Sequence, residues 1–583
     1  MVNIYIDGEK IEAQAGETII SAAVRNGIDI PHFCWHPELS LGGNCRMCLV
    51  ETGSPKRNPD GSYVKDENDN LCIDYLPKLQ IACNTVVADG MHIRTKSEKV
   101  IKAQESVLEF ILINHPLDCP ICDEAGQCKL QEYTYRYSNG ISRFEEQKNK
   151  NPKRIEWNDK IIYDAERCIS CGRCIRFTKE IAGEDILTFV NRGDKVRVDR
   201  FDDKKIQNSY SMNIIDNCPV GALTSKDFRF KARVWEMSFN NTICPGCSRG
   251  CNIRVGVKNN RVLRIEPYQN KYVNKNWMCD DGRISQYDFI NNNRLDKVKI
   301  RKDSGFVNTD LETAISYVQS SLKVYDADQV LFLTSSMASL ETNYLLQKLA
   351  ANIFKTKNIA YLNRLDEKFG DDFLKTKDRG PNINGLKALG INNITADELI
   401  SKIHSKKIRA IYILDEDFIY YNEIIPVLQD LDFLVIHSSN NNEALQYANV
   451  VFPVATFAEQ EGIFVNCEDR AQYFKPVIRT AFNFSKYAIL NQSRLDKFES
   501  YNDKWSTKEN NINIMPSWYI LSVLCHNNNY RTVEDIFNEI CKTNELFKNF
   551  SYELLIKHSG LNLGNKEPDS EPIQRVYIQN NLR

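Results

Sequence analysis

Hydrophobic and polar residues alternate at the start of the chain, and the spacing then becomes helical. In VNIYIDGEKIEAQ, the alternation runs on both sides of Asp7-Gly8, a pair typical of tight hairpin turns. GETIISAAVRNG follows with apolar residues at helical spacing and ends at Gly27. The pattern predicts a small β-rich domain that opens with a strand pair and a helix.

A second helix is predicted from residue 97 to about residue 115. SEKVIKAQESVLEFILINHP has Ser97 as a helix N-cap, and Pro116 stops the helix directly after His115. The apolar residues of this segment share one helical face: Val100, Ala103, Val107, Leu108, Ile111 and Leu112. Such a helix would hold His115 at a defined end.

The pattern changes again after residue 280. QVLFLTSS, IRAIYILDED and DFLVIHSS are short apolar runs typical of buried strands, and SLETNYLLQKLAANIF is an amphipathic helix directly after the first of them. Because strands alternate with helices, we predict a parallel sheet and an α/β domain.

Composition and charge limit the classes of protein that fit. The 583 residues suggest about three to five domains. The 75 Lys and Arg residues nearly balance 77 Asp and Glu residues, so we do not expect nucleic acid as a partner. The longest apolar runs, residues 107–113 and 408–414, are far shorter than the roughly 18 residues that span a bilayer. We expect a chain that is soluble by itself and meets a membrane only through partners.

Cysteines are concentrated in the first half of the chain. Of the 19 cysteines, all but three lie before residue 280, and the N-terminus MVNIYIDGEK lacks the basic and apolar regions of a secretory signal. We therefore expect reduced thiols and not the disulfide framework of a small secreted domain. Most of these cysteines, with one histidine, form four groups with ligand-like spacing, here called sets 1 to 4: Cys34, Cys45, Cys48 and Cys83; His115, Cys119, Cys122 and Cys128; Cys168, Cys171, Cys174 and Cys218; and Cys244, Cys247, Cys251 and Cys279.

The spacing within set 3 favours iron–sulfur clusters over zinc. Cys168-x2-Cys171-x2-Cys174 with a remote Cys218-Pro219 is the bacterial ferredoxin pattern, in which one loop binds three corners of a [4Fe–4S] cluster. Zinc sites also use paired cysteines, with or without a histidine, so zinc stays an alternative for set 4 taken alone. Electron transfer is the first functional hypothesis.

Two cysteines compete for the fourth position of set 1. Residues 52–70, TGSPKRNPDGSYVKDENDN, have the composition of a solvated hairpin excursion, and Cys72 lies at its end. Cys83 lies in LQIACNTVV, an apolar strand expected next to the core. We favour Cys83 on this burial argument.

His115 is the unusual member of set 2. A single histidine beside a helix end is usually a structural or surface residue. Here it stands just before Cys119-Pro-Ile-Cys122 and completes a site with three cysteines, so we predict that it is a ligand. A neutral imidazole in place of a thiolate changes the charge of a cluster and hence its reduction potential.

Three stretches are specific enough to identify a resemblance. NCRMCLVE at residues 44–51, HPLDCPICDEAGQC at residues 115–128 and CISCGRC at residues 168–174 resemble the large iron–sulfur subunit of respiratory complex I, the G-type or 75-kDa family. The resemblance covers the whole chain and is strongest up to about residue 290. It implies one [2Fe–2S] cluster in set 1 and one [4Fe–4S] cluster each in sets 2 and 3, with Cys218 closing the cluster of its own triplet.

Set 4 separates members of this family. Mitochondrial members generally lack it, whereas some bacterial members carry the same spacing, so the resemblance implies a bacterial protein with a third [4Fe–4S] cluster away from the main electron path. We predict an α/β multidomain chain with these parts: a β-grasp [2Fe–2S] ferredoxin domain, 1–96; a [4Fe–4S] segment with one histidine and three cysteine ligands, 97–137; a ferredoxin-like [4Fe–4S] domain, 138–236; a molybdopterin-oxidoreductase-type [4Fe–4S] segment, 237–295; and an α/β molybdopterin-oxidoreductase-like domain without cofactor, 296–583.

A molybdoenzyme is the main alternative. The C-terminal half resembles the molybdopterin oxidoreductase fold, notably at residues 449–472, and an NAD-linked formate dehydrogenase carries similar N-terminal clusters. Such an enzyme needs a metal-ligating Cys or selenocysteine and a Lys just after set 4, but Asp280 follows Cys279 and no cysteine lies between residues 280 and 466. A hydrogenase, or its electron-transfer subunit, is a further alternative; an iron-only hydrogenase would need another cysteine-rich domain.

The sequence also bears on other ligands and on the remaining cysteines. The chain has no G-x-G-x-x-G fingerprint, so we expect it to bind neither NAD nor FMN, and we expect no molybdenum. Cys467, Cys525 and Cys541 are isolated in sequence and are predicted to be ordinary buried thiols.

The resemblance implies an electron-transfer subunit of an NADH:quinone oxidoreductase, with no active site of its own. Electrons from NADH, oxidised at a flavin on a partner subunit, would enter through set 1 or set 2 and leave through set 3 toward a two-cubane ferredoxin-like subunit and quinone. The whole complex would translocate ions, and the chain would lie peripherally on the cytoplasmic face of the bacterial inner membrane. The Asn-rich stretches 508–514 and 525–530 have the composition of solvated loops or subunit contacts.

Overall fold

The computed structural model describes residues 1–138, 140–303, 305–493, 514–526 and 530–564. Its described residues form two compact units, Met1–Val234 and the part that begins at Trp235. Most of the two Asn-rich stretches predicted to be loops or contacts, residues 508–513 and 527–529, lies outside the described residues. No helix among the described residues is long and apolar enough to cross a bilayer.

The first unit contains short strands and short helices. Its strands are β1 (Val2–Ile6), β2 (Glu9–Ala13), β3 (Leu49–Pro55), β4 (Ile73–Tyr75), β5 (Gln80–Ile81), β6 (Met91–Arg94), β7 (Ile155–Glu156), β8 (Ile161–Tyr163), β9 (Leu187–Val190), β10 (Arg197–Arg200) and β11 (Leu223–Ser225). Its helices are α1 (Ile19–Arg25), α2 (Glu98–Leu112), α3 (Lys129–Tyr137), α4 (Arg173–Glu180) and α5 (Asn213–Asn217).

The N-terminal sheet confirms the predicted hairpin and helix. Strands β1 and β2 pair antiparallel around Asp7-Gly8, and both residues have positive φ angles, 49° and 91°. Such angles match the twist of a two-residue hairpin. The sheet order is β2-β1-β6-β3-β4, with β5 paired to β3. Helix α1 is capped by Thr18, whose side chain accepts from Ser21 N, and packs its apolar face into the core of this sheet.

Helix α2 has the predicted cap and nearly the predicted end. The side chain of Ser97 accepts a hydrogen bond from Val100 N at 3.3 Å, and the helix ends at Leu112, a few residues before His115. Its most buried residues are Val100, Gln104 and Leu108. Gln104 was not on the predicted apolar face; its side chain amide donates to Leu49 O at 3.3 Å and so connects α2 to β3.

The second unit contains a large sheet and two small ones. Its strands are β12 (Ser238–Ile243), β13 (Asn252–Lys258), β14 (Arg261–Pro267), β15 (Lys299–Lys302), β16 (Gly305–Asn308), β17 (Val330–Thr334), β18 (Ile359–Tyr361), β19 (Asn392–Asn393), β20 (Ala410–Leu414), β21 (Phe433–Ser438), β22 (Val450–Pro453), β23 (Gly462–Val465), β24 (Arg470–Phe474) and β25 (Leu561–Asn562). Its helices are α6 (Asp280–Asn291), α7 (Leu311–Leu322), α8 (Leu340–Lys348), α9 (Ile383–Ala388), α10 (Ala396–His404), α11 (Ser517–Leu524), α12 (Val533–Thr543) and α13 (Tyr552–Lys557).

The large sheet confirms the predicted α/β domain. Its eight strands run in the order β16-β15-β22-β21-β20-β17-β18-β19, and the six from β22 to β19 are parallel. The three predicted apolar runs form β17, β20 and β21, and the predicted amphipathic helix begins as α8. Residues on both faces of these central strands are buried, for example Phe332 and Tyr412 on one face and Leu333 and Ile413 on the other. Burial on both faces explains why these strands are continuously apolar.

Candidate iron–sulfur centres

The four cysteines of set 1 lie together in two pairs. Cys34 and Cys45 interact through their thiols, Cys48 and Cys83 form the second pair, and Cys83 also contacts Cys34. Hydrogen bonds from the thiols of Cys45 and Cys83 lower the pKa of Cys34 far below its ordinary value, and a hydrogen bond from Cys83 lowers the pKa of Cys48. Two pairs of thiols fit a [2Fe–2S] cluster, in which each iron takes two protein ligands.

The two candidates for the fourth position of set 1 lie in different places. Cys83 is buried among core residues at the end of β5, next to Cys48. Cys72 is half-buried in the hairpin excursion, where its backbone pairs with Val64 and Lys56. The structure therefore brings Cys83, and not Cys72, to the other three cysteines.

The loop of set 1 contains two adjacent glycines for a steric reason. A Cβ on Gly42 would lie 3.1 Å from Arg176 Nη2, and Gly43 has a φ of +63°. The first position requires a close approach to the guanidinium, and the second uses a backbone conformation that L side chains rarely adopt. The loop can thus follow the surface of another cysteine loop, that of set 3.

Set 3 surrounds one small cavity. All four of its cysteines line this cavity together with apolar side chains, among them Val198, Val220 and Leu223. Burial raises the pKa values of Cys171, Cys174 and Cys218, so removing their protons calls for a compensating positive charge. Ser170 N donates to Cys168 Sγ at 3.4 Å. Thiols around an apolar cavity, with a backbone N–H directed at sulfur, fit a [4Fe–4S] cluster.

Set 2 is brought together only in part. Burial raises the pKa of Cys128 to about 12, and the nearby buried thiol of Cys122 adds to this shift, whereas Cys119 is exposed in a short 3-10 turn. His115 N donates to Leu112 O at 3.2 Å, directly beyond α2. Within the described residues, His115 Nδ1 is a buried nitrogen without a hydrogen-bond partner. Burial lowers the pKa of His115 to about 4. A neutral, unpartnered imidazole fits a metal ligand.

Set 4 is buried in the second unit. Its cysteines lie in the loop between β12 and β13 and at the start of α6, and Cys244 N donates to Cys251 O at 2.8 Å. Backbone N–H groups donate to two of the sulfurs, from Gly246 to Cys244 at 3.4 Å and from Gly282 to Cys279 at 3.3 Å. Burial raises the pKa of Cys279 to about 12. A Cβ on Gly282 would lie 3.0 Å from Cys244 Sγ, so glycine leaves room for the sulfurs.

A zinc ion and an iron–sulfur cluster require different arrangements of the same donors. In the part of the chain that the structure describes, no group of three or more His, Cys, Asp or Glu side chains is placed to hold a single metal ion. A structural zinc ion binds all its thiolates at about 2.3 Å. In a [4Fe–4S] cluster each thiolate binds a different iron, and in a [2Fe–2S] cluster four thiolates are divided between two irons. The ligands of a cluster are therefore spread more widely than those of one zinc ion. The ferredoxin spacing of set 3 is the observation that favours clusters over zinc.

Arginines that sequence analysis missed connect the sets of the first unit. Arg176 Nη2 donates to Cys34 O at 2.6 Å and to Cys171 O at 3.3 Å, which joins sets 1 and 3. Arg173, on the same helix α4, is buried and donates to Trp35 O and to Asn217 O. The signal was available in CGRCIRF, where two arginines three residues apart share one face of a helix that begins within a ligand loop.

Sets 2 and 3 meet through the loop that follows Cys218. Cys128 Sγ lies 3.9 Å from Pro219 O, and Lys129 N donates to the same oxygen at 3.1 Å. A Cβ on Gly221 would overlap Cys122 Sγ, so only glycine allows this contact. Arg167, beside Cys168, forms an ion pair with Asp118, beside Cys119, at 3.0 Å. The three sets of the first unit are therefore neighbours.

The remaining cysteines are not all isolated. Cys525 and Cys541 pack against the apolar core of the second unit, as predicted for ordinary thiols. Cys467 is half-buried, and its N–H donates to Ser248 O at 2.8 Å, within the loop of set 4. Its distance in sequence from set 4 concealed this proximity.

Comparison with known families supports the same order of domains. The chain matches the 2Fe-2S iron-sulfur cluster binding domain at residues 1–98, the NADH-ubiquinone oxidoreductase-G iron-sulfur binding region at 104–143 and the ferredoxin-like domain of NADH-quinone oxidoreductase subunit 3 at 158–224. It then matches the molybdopterin oxidoreductase Fe4S4 domain at 237–292 and molybdopterin oxidoreductase at 380–490. These matches confirm the predicted fold class.

Individual relatives cover part of the chain. The G-type subunit of NADH-quinone oxidoreductase from Rickettsia conorii is 37% identical over 366 residues, 62% of this chain and 51% of that protein. Subunit 3 of the Thermus thermophilus enzyme is 36% identical over 62% of this chain and 48% of its own length. The NADH-ubiquinone oxidoreductase 75 kDa subunit of Reclinomonas americana is 35% identical over 65% of this chain and 52% of its own length.

These matches cover part of each relative. The chain spans about half the length of the curated relatives that it matches. Among solved structures, a chain of NAD+-reducing [NiFe]-hydrogenase in the H2-reduced state matches with a TM-score of 0.31 and 25% identity, over 40% of this chain and 91% of that chain, a likeness too limited for a functional conclusion. The chain is a homologue of the G-type subunit of NADH-quinone oxidoreductase over 62% of its length and combines the iron–sulfur and molybdopterin-oxidoreductase domains predicted for it.

Proposed function

We propose that this chain is the electron-transfer subunit of an NADH:quinone oxidoreductase. The observation that carries the proposal is that three candidate ligand sets are neighbours in one unit, joined by Arg176 and by the Pro219 to Gly221 turn. A relay needs redox centres that are close and fixed in position. Structural metal sites have no such need, so the shared contacts favour a relay over separate structural sites.

We assign the ligands as the sequence predicts them. Cys34, Cys45, Cys48 and Cys83 would hold a [2Fe–2S] cluster, and sets 2, 3 and 4 would each hold a [4Fe–4S] cluster. When bound, clusters of these types exchange single electrons. The five predicted domains follow these sets, and their boundaries stay predictions.

The chain's own groups control the environment of these centres. Apolar walls such as Val198 and Leu223 keep water from set 3. Backbone N–H groups of Ser170, Gly246 and Gly282 donate to ligand sulfurs. Hydrogen bonds and nearby positive charge stabilise the more negative, reduced state of a cluster and so raise its reduction potential. The chain thereby sets the potentials and needs no acid–base or nucleophilic residue.

The proposal extends to the partners and the location that the resemblance implies. The chain would take electrons from a flavin-bearing NADH-oxidising subunit and pass them to a two-cubane ferredoxin-like subunit, while the assembled complex reduces quinone and translocates ions. It would lie at the cytoplasmic face of a bacterial inner membrane, held there by other subunits.

The test is the metal content of anaerobically purified chain. We expect about 14 irons per chain, from one [2Fe–2S] and three [4Fe–4S] clusters, with no molybdenum. About 10 irons would mean that one [4Fe–4S] set is empty or, if zinc is found, that set 4 is a zinc site. Stoichiometric molybdenum would overturn the proposal and favour a catalytic molybdoenzyme.

A further inference from the structure

A cavity of about 370 Å³ lies within the second unit, at the carboxyl ends of the parallel strands. The chain leaves β17 toward β18 on one side and leaves β20 toward β21 on the other, although β17 and β20 are neighbours. Open α/β sheets bind ligands at such a switch point, outside the carboxyl ends of the strands. Met337, after β17, and Asp415, after β20, both line the cavity, and its volume lies within the usual range of about 300–1,000 Å³ for small-molecule sites.

The charged residues of this cavity are mostly acidic. Asp415, Glu416 and Asp417 follow β20 in a row, and Arg364 is the basic residue that lines the cavity with them. Arg364 Nη1 donates to Glu416 at 2.6 Å and to Asp417 at 3.0 Å, which uses its charge within the protein. Asp415 has a φ of +42°, and burial with Asp417 and Glu416 nearby raises its pKa to about 7. Three carboxyl groups therefore outnumber the single guanidinium in this cavity.

One buried donor in the cavity is unsatisfied. Arg364 is 5% exposed, and its Nε is a buried nitrogen that has no hydrogen-bond partner within the described residues. A buried donor without a partner costs free energy, which the hydrogen bonds of Nη1 to two carboxylates offset. The walls of the cavity also include the aromatic rings of Phe289 and Phe457.

These residues do not fit a molybdopterin cofactor, although residues 380–490 match that family. A pterin cofactor carries phosphate, and phosphate sites use unpaired Arg or Lys side chains or helix N-termini. Here three carboxylates face one guanidinium that is already paired. The chain also has no cysteine between residues 280 and 466 to bind the metal.

We propose that this cavity binds a small uncharged molecule with a vicinal diol, such as a nucleoside. The carboxylates of Asp415 and Asp417 accept hydrogen bonds from the two hydroxyls, as an acidic residue does for ribose in other α/β folds. Phe289 and Phe457 contact its apolar face. A phosphate ester of the same molecule is excluded because the carboxylates repel it.

Calorimetric titration of the full purified chain tests this proposal, with adenosine as the probe. We expect adenosine to bind, and 2′,3′-dideoxyadenosine and adenosine monophosphate to bind about tenfold more weakly or not at all. Ribose as a fourth probe separates the two sources of the diol: equal binding of ribose and adenosine supports a sugar site, and tighter binding of adenosine supports a nucleoside site. Failure of both adenosine and ribose to bind, or tighter binding of the monophosphate, would overturn the proposal.

Variants test the assignment of residues. Asp415→Asn and Asp417→Asn should each weaken adenosine binding about tenfold, because a neutral amide accepts a weaker hydrogen bond. Glu423→Gln, at an exposed position outside the cavity, is the matched control and should bind as the native chain does. Unchanged binding in both Asp variants contradicts the proposal. The iron content should stay the same in all three variants, so failure here is distinct from failure of the proposed relay.

Discussion

The interiors of the two units are stabilised in different ways. The second unit has an eight-stranded sheet whose central strands are buried by an apolar cluster on each face. In the first unit, the part that begins at Ser138 has two- and three-stranded sheets and short helices, and its interior combines apolar side chains such as Trp157 and Phe177 with the thiols of set 3 and the buried Arg173. Small domains often depend on metal ligation or disulfides in addition to their apolar core, and here the ligand thiols and a charged side chain are buried within that core. We infer that metal ions are part of the fold in the first unit and an addition to it in the second.

Removal of iron should have the largest effect and would separate the two units most clearly. After anaerobic chelation, we expect amide hydrogens of β8 and α4 to exchange rapidly, because the buried thiols lose the cluster that holds them together. Amides of β17 and β20 should stay protected, since apolar packing holds those strands. Hydrogen exchange with mass spectrometry measures both in one sample. Equal loss of protection in both units would show that the comparison is wrong.

Replacement of His115 should remove one cluster of the first unit. His115→Ala deletes the unpartnered imidazole, so we expect a loss of about 4 irons per chain. His115→Cys should keep the cluster but lower its potential, because a thiolate adds negative charge. Iron analysis and a redox titration followed by electron paramagnetic resonance measure these effects.

The matched control for this pair is His404→Ala, at an exposed histidine of the second unit whose Nε2 lies 3.5 Å from Asp430 Oδ2. It should change neither the iron content nor the potentials. If His115→Ala keeps all its iron and its native spectrum, His115 is not a ligand.

A core substitution in the second unit should destabilise that unit and leave the iron of the first unit in place. Leu346 of α8 is fully buried in the apolar cluster, so Leu346→Ala should cost about 2–5 kcal/mol of the free energy of unfolding. Urea denaturation, followed by a spectroscopic signal from the second unit, measures this loss of unfolding free energy. The iron bound by the first unit should not change, and a parallel loss of that iron would mean that the two units do not differ as proposed.

Arg176 should have the smallest but most specific effect. Arg176→Gln loses donors to Cys34 O and Cys171 O, so we expect a destabilisation of about 1–3 kcal/mol and a lower potential of the [2Fe–2S] centre as positive charge leaves. The control is Arg136→Gln, which breaks exposed ion pairs worth about 0.5 kcal/mol. Equal potentials in the two variants would contradict this role of Arg176.

The sequence was most informative where a local pattern controls local structure. The hairpin at Asp7-Gly8, the Ser97 cap and the strands β17, β20 and β21 follow from turn chemistry, capping and apolar runs. Cysteine spacing also predicted which residues form each candidate set. Contacts between distant segments could not be predicted, because no local pattern encodes them: Arg176 with Cys34, Cys467 with Ser248, and the cavity at Asp415 all depend on how loops far apart in sequence meet.

Gly221 has a consequence for the rate of the proposed relay. Because Gly221 has no side chain, Cys122 Sγ can occupy space that a Cβ at position 221 would overlap. This contact lies in the loop that begins at Cys218. Electron tunnelling between two centres slows exponentially as the gap between them widens. If sets 2 and 3 hold the proposed clusters, a larger residue at position 221 would move the two loops apart and slow electron transfer between them, even with every cluster still bound.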